Sequence, residues 1–292
     1  MSFRKILCPI DFSAGSTHAL RAASRVAVRD RAELVLLNVA ATPAMIYAAE
    51  AALPADLLAG QLDNGSDRLA AAVTEARALG VTAVSALLER GTAWDQIVAT
   101  LADPTFDLCV VGTHGRTGLA RVALGSVAEQ VVRHSPCPVL TVRSDECGPL
   151  FRHILCPVDF SPSAARAAEL AVHLVEPRGT LTLLHVLDLP VAAAGEVHDP
   201  ALAAALGPDS SRHLGEWRDR LRAGTDVTIE LRSRLGYPGA QILHELEQDA
   251  TIDLVALGSH GRTGVGRALL GSVAEKVTRH ARCAVLVAHV RG

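Results

Sequence analysis

The same unit is written twice in this chain, and no other feature restricts the fold as much. Phe3-Arg-Lys-Ile-Leu-Cys-Pro-Ile-Asp-Phe-Ser13 returns as Phe151-Arg-His-Ile-Leu-Cys-Pro-Val-Asp-Phe-Ser161, identical at nine of eleven positions with an offset of 148. Gly112-Thr-His-Gly-Arg-Thr-Gly-Leu-Ala-Arg-Val-Ala-Leu-Gly-Ser-Val127 returns as Gly258-Ser-His-Gly-Arg-Thr-Gly-Val-Gly-Arg-Ala-Leu-Leu-Gly-Ser-Val273, identical at eleven of sixteen with an offset of 146. The nearly constant offset leaves room only for short insertions. A chain of 292 residues therefore reads as two homologous domains, 1–144 and 150–292, joined through the polar stretch Arg143-Ser-Asp-Glu-Cys-Gly-Pro149.

Within each copy, short apolar runs alternate with longer stretches of helical periodicity. Ile6–Ile10, Leu34–Val39, Val81–Leu88, Leu108–Val111 and Val139–Val142 read as strands, and Ile154–Val158, Leu181–Val186, Val227–Leu231, Leu254–Leu257 and Ala284–Val287 as their counterparts. The runs are continuously apolar rather than alternating, as in a parallel sheet covered on both faces. Between those of the first copy, Ala14–Val28, Pro54–Leu79, Thr92–Ala102 and Gly125–His134 carry apolar residues at helical spacing. Strict βαβα alternation predicts an α/β fold of two tandem doubly wound domains, with right-handed crossovers. Ligands in such sheets bind beyond the carboxyl ends of the strands, where the strand order reverses.

Composition removes several function classes. Lys+Arg is 28 against Asp+Glu 31, a net charge of −3, which lacks the basic field that nonspecific binding to nucleic acid or anionic membrane needs. With 49% hydrophobic and 20% charged residues the chain is too apolar for disorder. Its longest uncharged stretch, Leu34 to Ala49, contains Asn38, Thr42 and Pro43 and falls short of the roughly 18–20 apolar residues of a membrane span. Arg4 and Lys5 precede too short an apolar run for a signal peptide, so a soluble, cytoplasmic protein is expected. Cys8, Cys109, Cys137, Cys147, Cys156 and Cys283 show no CxxC pair and are expected to be buried and reduced, with no metal site.

The residues after the first, second and fourth strands are the ones to inspect. After the fourth comes Gly112-x-x-Gly115, then nine residues, then Gly125-Ser126 opening a helix. Glycines permit positive φ and close approach of backbone to ligand. Ser126 suits the N-cap, and the N–H groups around Gly125, Ser126 and Val127 would make an anion site aided by the helix dipole. Gly258, Gly261, Gly271, Ser272 and Val273 repeat the arrangement. The plain alternative is a glycine turn that only caps a helix. His114 and His260 could touch a phosphate or merely stabilise the loop, and Arg116 and Arg262 could neutralise phosphate charge.

After the first strand, Pro9-Ile10 leads to Asp11 and Pro157-Val158 to Asp159. Each carboxylate could accept hydrogen bonds from a base or ribose, or cap the first helix together with Ser13 or Ser161. Leu37-Asn-Val39 and Leu184-His-Val186 end the second strands; their backbone and the Val39 and Val186 side chains could hold an adenine, although on sequence alone they read as plain strand core. Trp94 and Trp217 are expected at helix surfaces, away from the strand ends, and Glu129 and Glu275 on a solvated helix face.

These elements in this order resemble the universal stress protein family, over about residues 3–143 and 151–289, and the doubling resembles its tandem members. Gly-(Thr/Ser)-His-Gly-(x9)-Gly-Ser looks like the signature of that family's nucleotide-binding branch. The resemblance implies a five-stranded parallel sheet of order 3-2-1-4-5 in each domain and ATP as ligand, with Mg²⁺ held mainly by the phosphates. It also implies that Asp11, Val39, Gly112, Gly115, Gly125, Ser126 and Val127 line one site, and Asp159, Val186, Gly258, Gly261, Gly271, Ser272 and Val273 the other. In this family the last strand commonly pairs with that of a partner domain, which here would be Val139–Val142 against Ala284–Val287 within the chain, with a homodimer of whole chains left open.

The function expected on these grounds is an ATP-binding regulator of the stress response that acts by occupancy, through an unidentified protein partner. A slow ATP hydrolase in the same pockets is one rival, although no GxxxxGK[ST] occurs and only the histidines offer a general base. A nucleotide-free interaction scaffold is the other. A phosphorylated receiver domain is set aside because Glu89 is expected beyond the third strand, Leu231-Arg-Ser233 carries no acid, and neither copy has an acidic pair after strand one.

Overall fold

The computed structural model describes residues 2–40, 55–113, 124–143, 151–188, 208–261 and 270–290. The chain divides into two compact units, Met1–Asp145 and Glu146–Gly292. The first unit runs β1 (Lys5–Pro9), α1 (Ala14–Asp30), β2 (Glu33–Ala40), α2 (Ala55–Ala78), β3 (Val84–Arg90), α3 (Ala93–Leu101), β4 (Leu108–Gly112), α4 (Ser126–His134) and β5 (Val139–Val142). The second runs β6 (Phe151–Pro157), α5 (Pro162–Leu174), β7 (Val175–Leu187), α6 (Pro208–Arg222), β8 (Thr228–Leu235), α7 (Pro238–Gln248), β9 (Leu254–Gly258), α8 (Ser272–His280) and β10 (Ala284–Ala288).

In the first unit the strands lie in the order β3-β2-β1-β4-β5, and in the second β8-β7-β6-β9-β10, parallel throughout. Both are the expected 3-2-1-4-5. The central strands carry the core: Ile6, Leu7, Cys8, Leu108, Cys109 and Val110 are fully buried, as are Ile154, Leu155, Cys156, Leu254 and Val255. α1 packs on α2 and α3 on α4, with the same pairing of α5 with α6 and α7 with α8. Right-handed crossovers put the two pairs on opposite faces of each sheet, which is why the central runs are apolar at every position. The order reverses between β1 and β4, and between β6 and β9, so a crevice opens there at the carboxyl ends.

Several expected boundaries moved: β3 and β8 run on to Arg90 and Leu235, past Leu88 and Leu231, and two strands start elsewhere. β3 starts at Val84 rather than Val81, because Val81 closes the end of α2: its N–H donates to the Ala76 carbonyl at 3.1 Å while Gly80, at φ +98°, donates to Arg77 at 2.9 Å. β7 starts at Val175, well before Leu181, with a register shift where it passes Phe151 and His153. Glu89 lies inside β3, so in the first unit the argument against a receiver domain rests on the missing acidic pair alone, whereas in the second Leu231-Arg-Ser233 still carries no acid.

Cys8, Cys109, Cys137 and Cys156 are buried free thiols, whereas Cys283 is half-buried; Cys147 lies outside the described residues. Burial pushes the Cys156 thiol up to about 12 and raises Cys8 and Cys109 as well, which leaves them inert as nucleophiles. Among the described residues no helix is long and apolar enough to cross a membrane.

Candidate functional site

Each first strand ends at a proline, and the chain then turns into the first helix through a residue in the left-handed region. Phe12 has φ 63° and Phe160 φ 65°, a conformation non-glycine residues hold only when their surroundings enforce it. The turn is closed locally. Asp11 Oδ1 accepts from the Ser13 N–H at 3.0 Å and its hydroxyl at 2.5 Å, and Asp159 Oδ1 accepts from the Ser161 N–H at 3.0 Å. Ser13 and Ser161 in turn cap α1 and α5, accepting from Ser16 N–H and Ala164 N–H, each at 3.2 Å. The serines are therefore the caps, and each aspartate, rather than capping the helix itself, braces its cap residue with a carboxylate that stands at the end of the first strand.

Strand parity decides what Val39 and Val186 present. The Leu37 carbonyl accepts from Ile10 N–H at 2.8 Å, whereas the Ala40 carbonyl accepts from Gly91 N–H at 3.0 Å on the β3 side. Odd-numbered residues of β2 thus direct their backbone groups toward β1, and Val39 does so at a level where β1 has ended at Pro9. In the second unit the Leu184 carbonyl accepts from Val158 N–H at 2.8 Å and the Leu187 carbonyl from Gly236 N–H at 3.0 Å, which leaves Val186 facing past the end of β6. One N–H and one C=O side by side match the donor–acceptor edge of a heterocyclic base.

The glycines act differently from expectation. Gly125 and Gly271, not Ser126 and Ser272, are the N-caps of α4 and α8; their φ values, −63° and −62°, are ordinary. Their N–H groups are also consumed, donating to Thr113 O at 2.7 Å and Ser259 O at 2.8 Å. What requires glycine is closeness: a Cβ on Gly125 would lie 2.8 Å from the Thr113 carbonyl oxygen, and one on Gly271 3.2 Å from that of Ser259. The first intrahelical bonds are those of Glu129 and Glu275 to the cap carbonyls, each 2.9 Å, so the N–H groups of the three residues before each remain for an anion. Gly112 and Gly258 end their strands against the first helix of their unit; a Cβ on Gly258 would meet Ser163 Oγ at 2.5 Å and Ala164 N at 2.8 Å, and one on Gly112 would run into the Gly15 backbone.

In the second unit these parts surround a cavity of about 280 Å³. Of the residues expected there, Pro157, Val158, Asp159, Val186, Gly258, His260, Gly261, Gly271, Ser272 and Val273 all line it. Arg262, and in the first unit His114, Gly115 and Arg116, lie outside the described residues. The rest of the first set, Pro9, Ile10, Asp11, Val39, Gly112, Gly125, Ser126 and Val127, occupies matching places in the repeated elements. The His260 loop is tied down by hydroxyls: its carbonyl accepts from Ser163 at 2.5 Å and its Nδ1 is 2.9 Å from Ser259 Oγ. Glu129 and Glu275 pair with Arg133 and Arg279 along their helices, at 3.7 and 3.0 Å.

Sequence reasoning missed part of the wall. Pro238 and Ile242, at the start of α7, line the cavity; the recurrence of Gln96-Ile97 as Gln241-Ile242 was the available signal. Trp217 is not remote from the strand ends: its ring meets Phe160 edge-on at 5.6 Å, whereas Trp94 packs at a helix surface, 5.4 Å from the His134 ring.

A family model described as the universal stress protein family matches residues 2–143 and again 150–289. A universal stress protein of Mycobacterium tuberculosis is 31% identical over 187 residues, 62% of this chain and 61% of the relative, so the chain spans about three fifths of the length of the first relatives it matches. Another, from Mycolicibacterium smegmatis, is 29% identical over 98% of this chain and 97% of its own. Among solved structures, a universal stress protein from Archaeoglobus fulgidus covers 100% of both chains with a TM-score of 0.70 at 22% identity, a likeness of fold.

Proposed function

The chain belongs to the universal stress protein family, and from that premise we propose that it binds ATP in two pockets, one per unit, and regulates by occupancy rather than by rapid turnover. The observation that carries this is the second-unit cavity, which gathers a fixed carboxylate, a strand-end donor–acceptor pair and a helix N-terminus around one space. The donor set suits a nucleotide. Val186 would pair with the base edge, Asp159 would accept from ribose or base, and Ser272, Val273 and Ala274 would offer N–H groups to phosphate. Gly261 passes close over Asp159, with 3.1 Å between its would-be Cβ and Oδ2, so a side chain there would intrude on the same space. By repetition, Val39, Asp11 and the N–H groups of Ser126, Val127 and Ala128 would serve the first unit.

Mg²⁺ would travel with the phosphates. Binding would bias one arrangement of loops over another, and that difference, not hydrolysis, would be read by a protein partner. Action in the cytoplasm suits the free thiols of the described cysteines. Calorimetry with ATP is expected to give a stoichiometry near two; a value of one overturns the competence of both units, and no heat at any concentration overturns the reading. Nucleotide carried through gentle purification separates the rivals, since bound ADP would favour hydrolysis and none a scaffold.

The partner-strand habit of the family extends the proposal to β5 and β10 pairing within the chain. Val139-Leu-Thr-Val142 is too apolar to stand as an open edge. Residues 1–148 expressed alone are therefore expected to dimerise, and a monodisperse monomer at tens of micromolar would count against the pairing.

A further inference from the structure

We propose that Asn38 and His185 are positioning residues that hold Asp11 and Asp159 in place for the ligand, an inference that rests on the nucleotide reading of these sites. They occupy the same place in the repeat, the residue before Val39 or Val186, and are different in kind. Yet they make the same bond. Asn38 Nδ2 donates to the Ile10 carbonyl at 2.7 Å, and His185 Nδ1 lies 2.7 Å from the Val158 carbonyl, which as an acceptor requires the proton on Nδ1. Both side chains are buried, at 5% and 2% exposure. That carbonyl belongs to the peptide immediately before the aspartate, and the amide of the same residue is already bound to the second strand. The residue ahead of each aspartate therefore has both backbone groups engaged.

The residue behind is held as well. The Phe160 ring packs on His185 with 4.7 Å between centroids, and the Arg68 guanidinium covers Phe12 at 4.3 Å. Left-handed Phe12 and Phe160 persist only under such constraint. In the second unit His185 grips the turn on both sides of Asp159, by hydrogen bond before it and by ring contact after it. In the first, Asn38 supplies the hydrogen bond and Arg68 the cover. A core histidine that merely filled space would not be replaced by an amide reaching the same oxygen; what the two copies share is the donor.

The test separates donor from shape in the full-length chain. His185→Asn keeps a donor and loses the ring, whereas His185→Phe keeps the ring and loses the donor. Two readouts are used: ATP affinity by calorimetry, and hydrogen exchange of the 159–161 amides without nucleotide. His185→Phe is expected to weaken the second site by about tenfold or more, from the buried carbonyl left unpaired, and to speed exchange of those amides. His185→Asn is expected to stay within about twofold of the parent and keep the loop protected, because His213 and Trp217 still hold the Phe160 ring, and the same is expected of Asn38→His at the first site. Parent-like behaviour of His185→Phe, or a loss in His185→Asn as large as in His185→Phe, overturns the inference. If His185→Phe does not fold, Asn38→Leu poses the same question in the first unit. A parent chain that takes up no ATP would sink the nucleotide reading, and the exchange arm would still decide whether these side chains hold the turn.

Discussion

Alanine at Gly258 is expected to cost the second unit about 3 kcal/mol of stability, the upper part of the range for overpacking, before any effect on ligand is considered. The added Cβ would lie 2.5 Å from Ser163 Oγ, 2.8 Å from Ala164 N and 2.8 Å from the Ser163 carbonyl carbon. Two of those are backbone atoms at the start of α5, where Ser161 caps the helix and Ser163 holds the His260 carbonyl. Relief requires moving α5 off β9, and the loop above moves with it. Gly112→Ala meets the Gly15 and Ser16 backbone in the same way. Loss of ATP binding in either variant would report a displaced helix rather than a missing phosphate contact. Gly261→Ala is the informative change: among the described residues its Cβ meets only Asp159 Oδ2, so it should keep near-parent stability and lose affinity at the second site. Urea denaturation of the three variants checks this. A Gly258→Ala midpoint equal to that of the parent would show that β9 and α5 are not packed as described.

How much of this was legible beforehand depended on whether a residue's role is local. The repeat, the apolar runs and the order of elements are properties of neighbouring positions; they led to two doubly wound units and to a family resemblance, and it was the resemblance that implied the strand order and most of the ten residues that line one cavity. Gly125 and Gly271 were legible as special positions but not for the right reason. Positive φ is a local expectation of glycine, whereas the actual demand comes from the carbonyls of Thr113 and Ser259 across the loop. Val81 looked like strand because it is apolar and buried, and nothing in its own neighbourhood said that it closes α2. Asn38 and His185 read as strand core for a related reason: their partners, Ile10 and Val158, are 28 and 27 positions away. Unlike residues at one position of a repeat were the visible clue, and only the coordinates showed that they converge on one carbonyl.

A second large effect is expected at Glu245, where sequence pattern had nothing to say. Glu245 lies on α7 with 3% exposure and is shared by two arginines of β8: Arg232 Nη1 is 3.0 Å from Oε2 and Arg234 Nη2 2.5 Å from Oε1. Arg232 also reaches Glu230 at 3.0 Å and Asp249 at 3.6 Å, while Arg234 donates to the Ser233 carbonyl at 3.2 Å. The matching positions of the first unit are Leu87, Glu89 and Thr100, so this cluster belongs to the second unit alone. Removing the acid leaves the Arg234 guanidinium, mostly buried, without a carboxylate among the described residues, facing an Arg232 that keeps only Glu230 and Asp249. Glu245→Ala should therefore cost about 3–5 kcal/mol, whereas replacing all three residues together by apolar ones of similar volume should come within about 1 kcal/mol of the parent. That contrast distinguishes an uncompensated charge from lost packing, because the triple replacement removes more atoms and is expected to do less harm. The consequence reaches the ligand site, since α7 also carries Pro238 and Ile242 in the cavity wall. A Glu245→Ala chain is thus expected to bind ATP more weakly at the second site even under conditions where it stays folded, with the first site unchanged. Denaturation midpoints and calorimetry on the two variants measure both effects. Equal destabilisation by the single and the triple replacement would mean that the cluster is held by packing and that its charges are incidental.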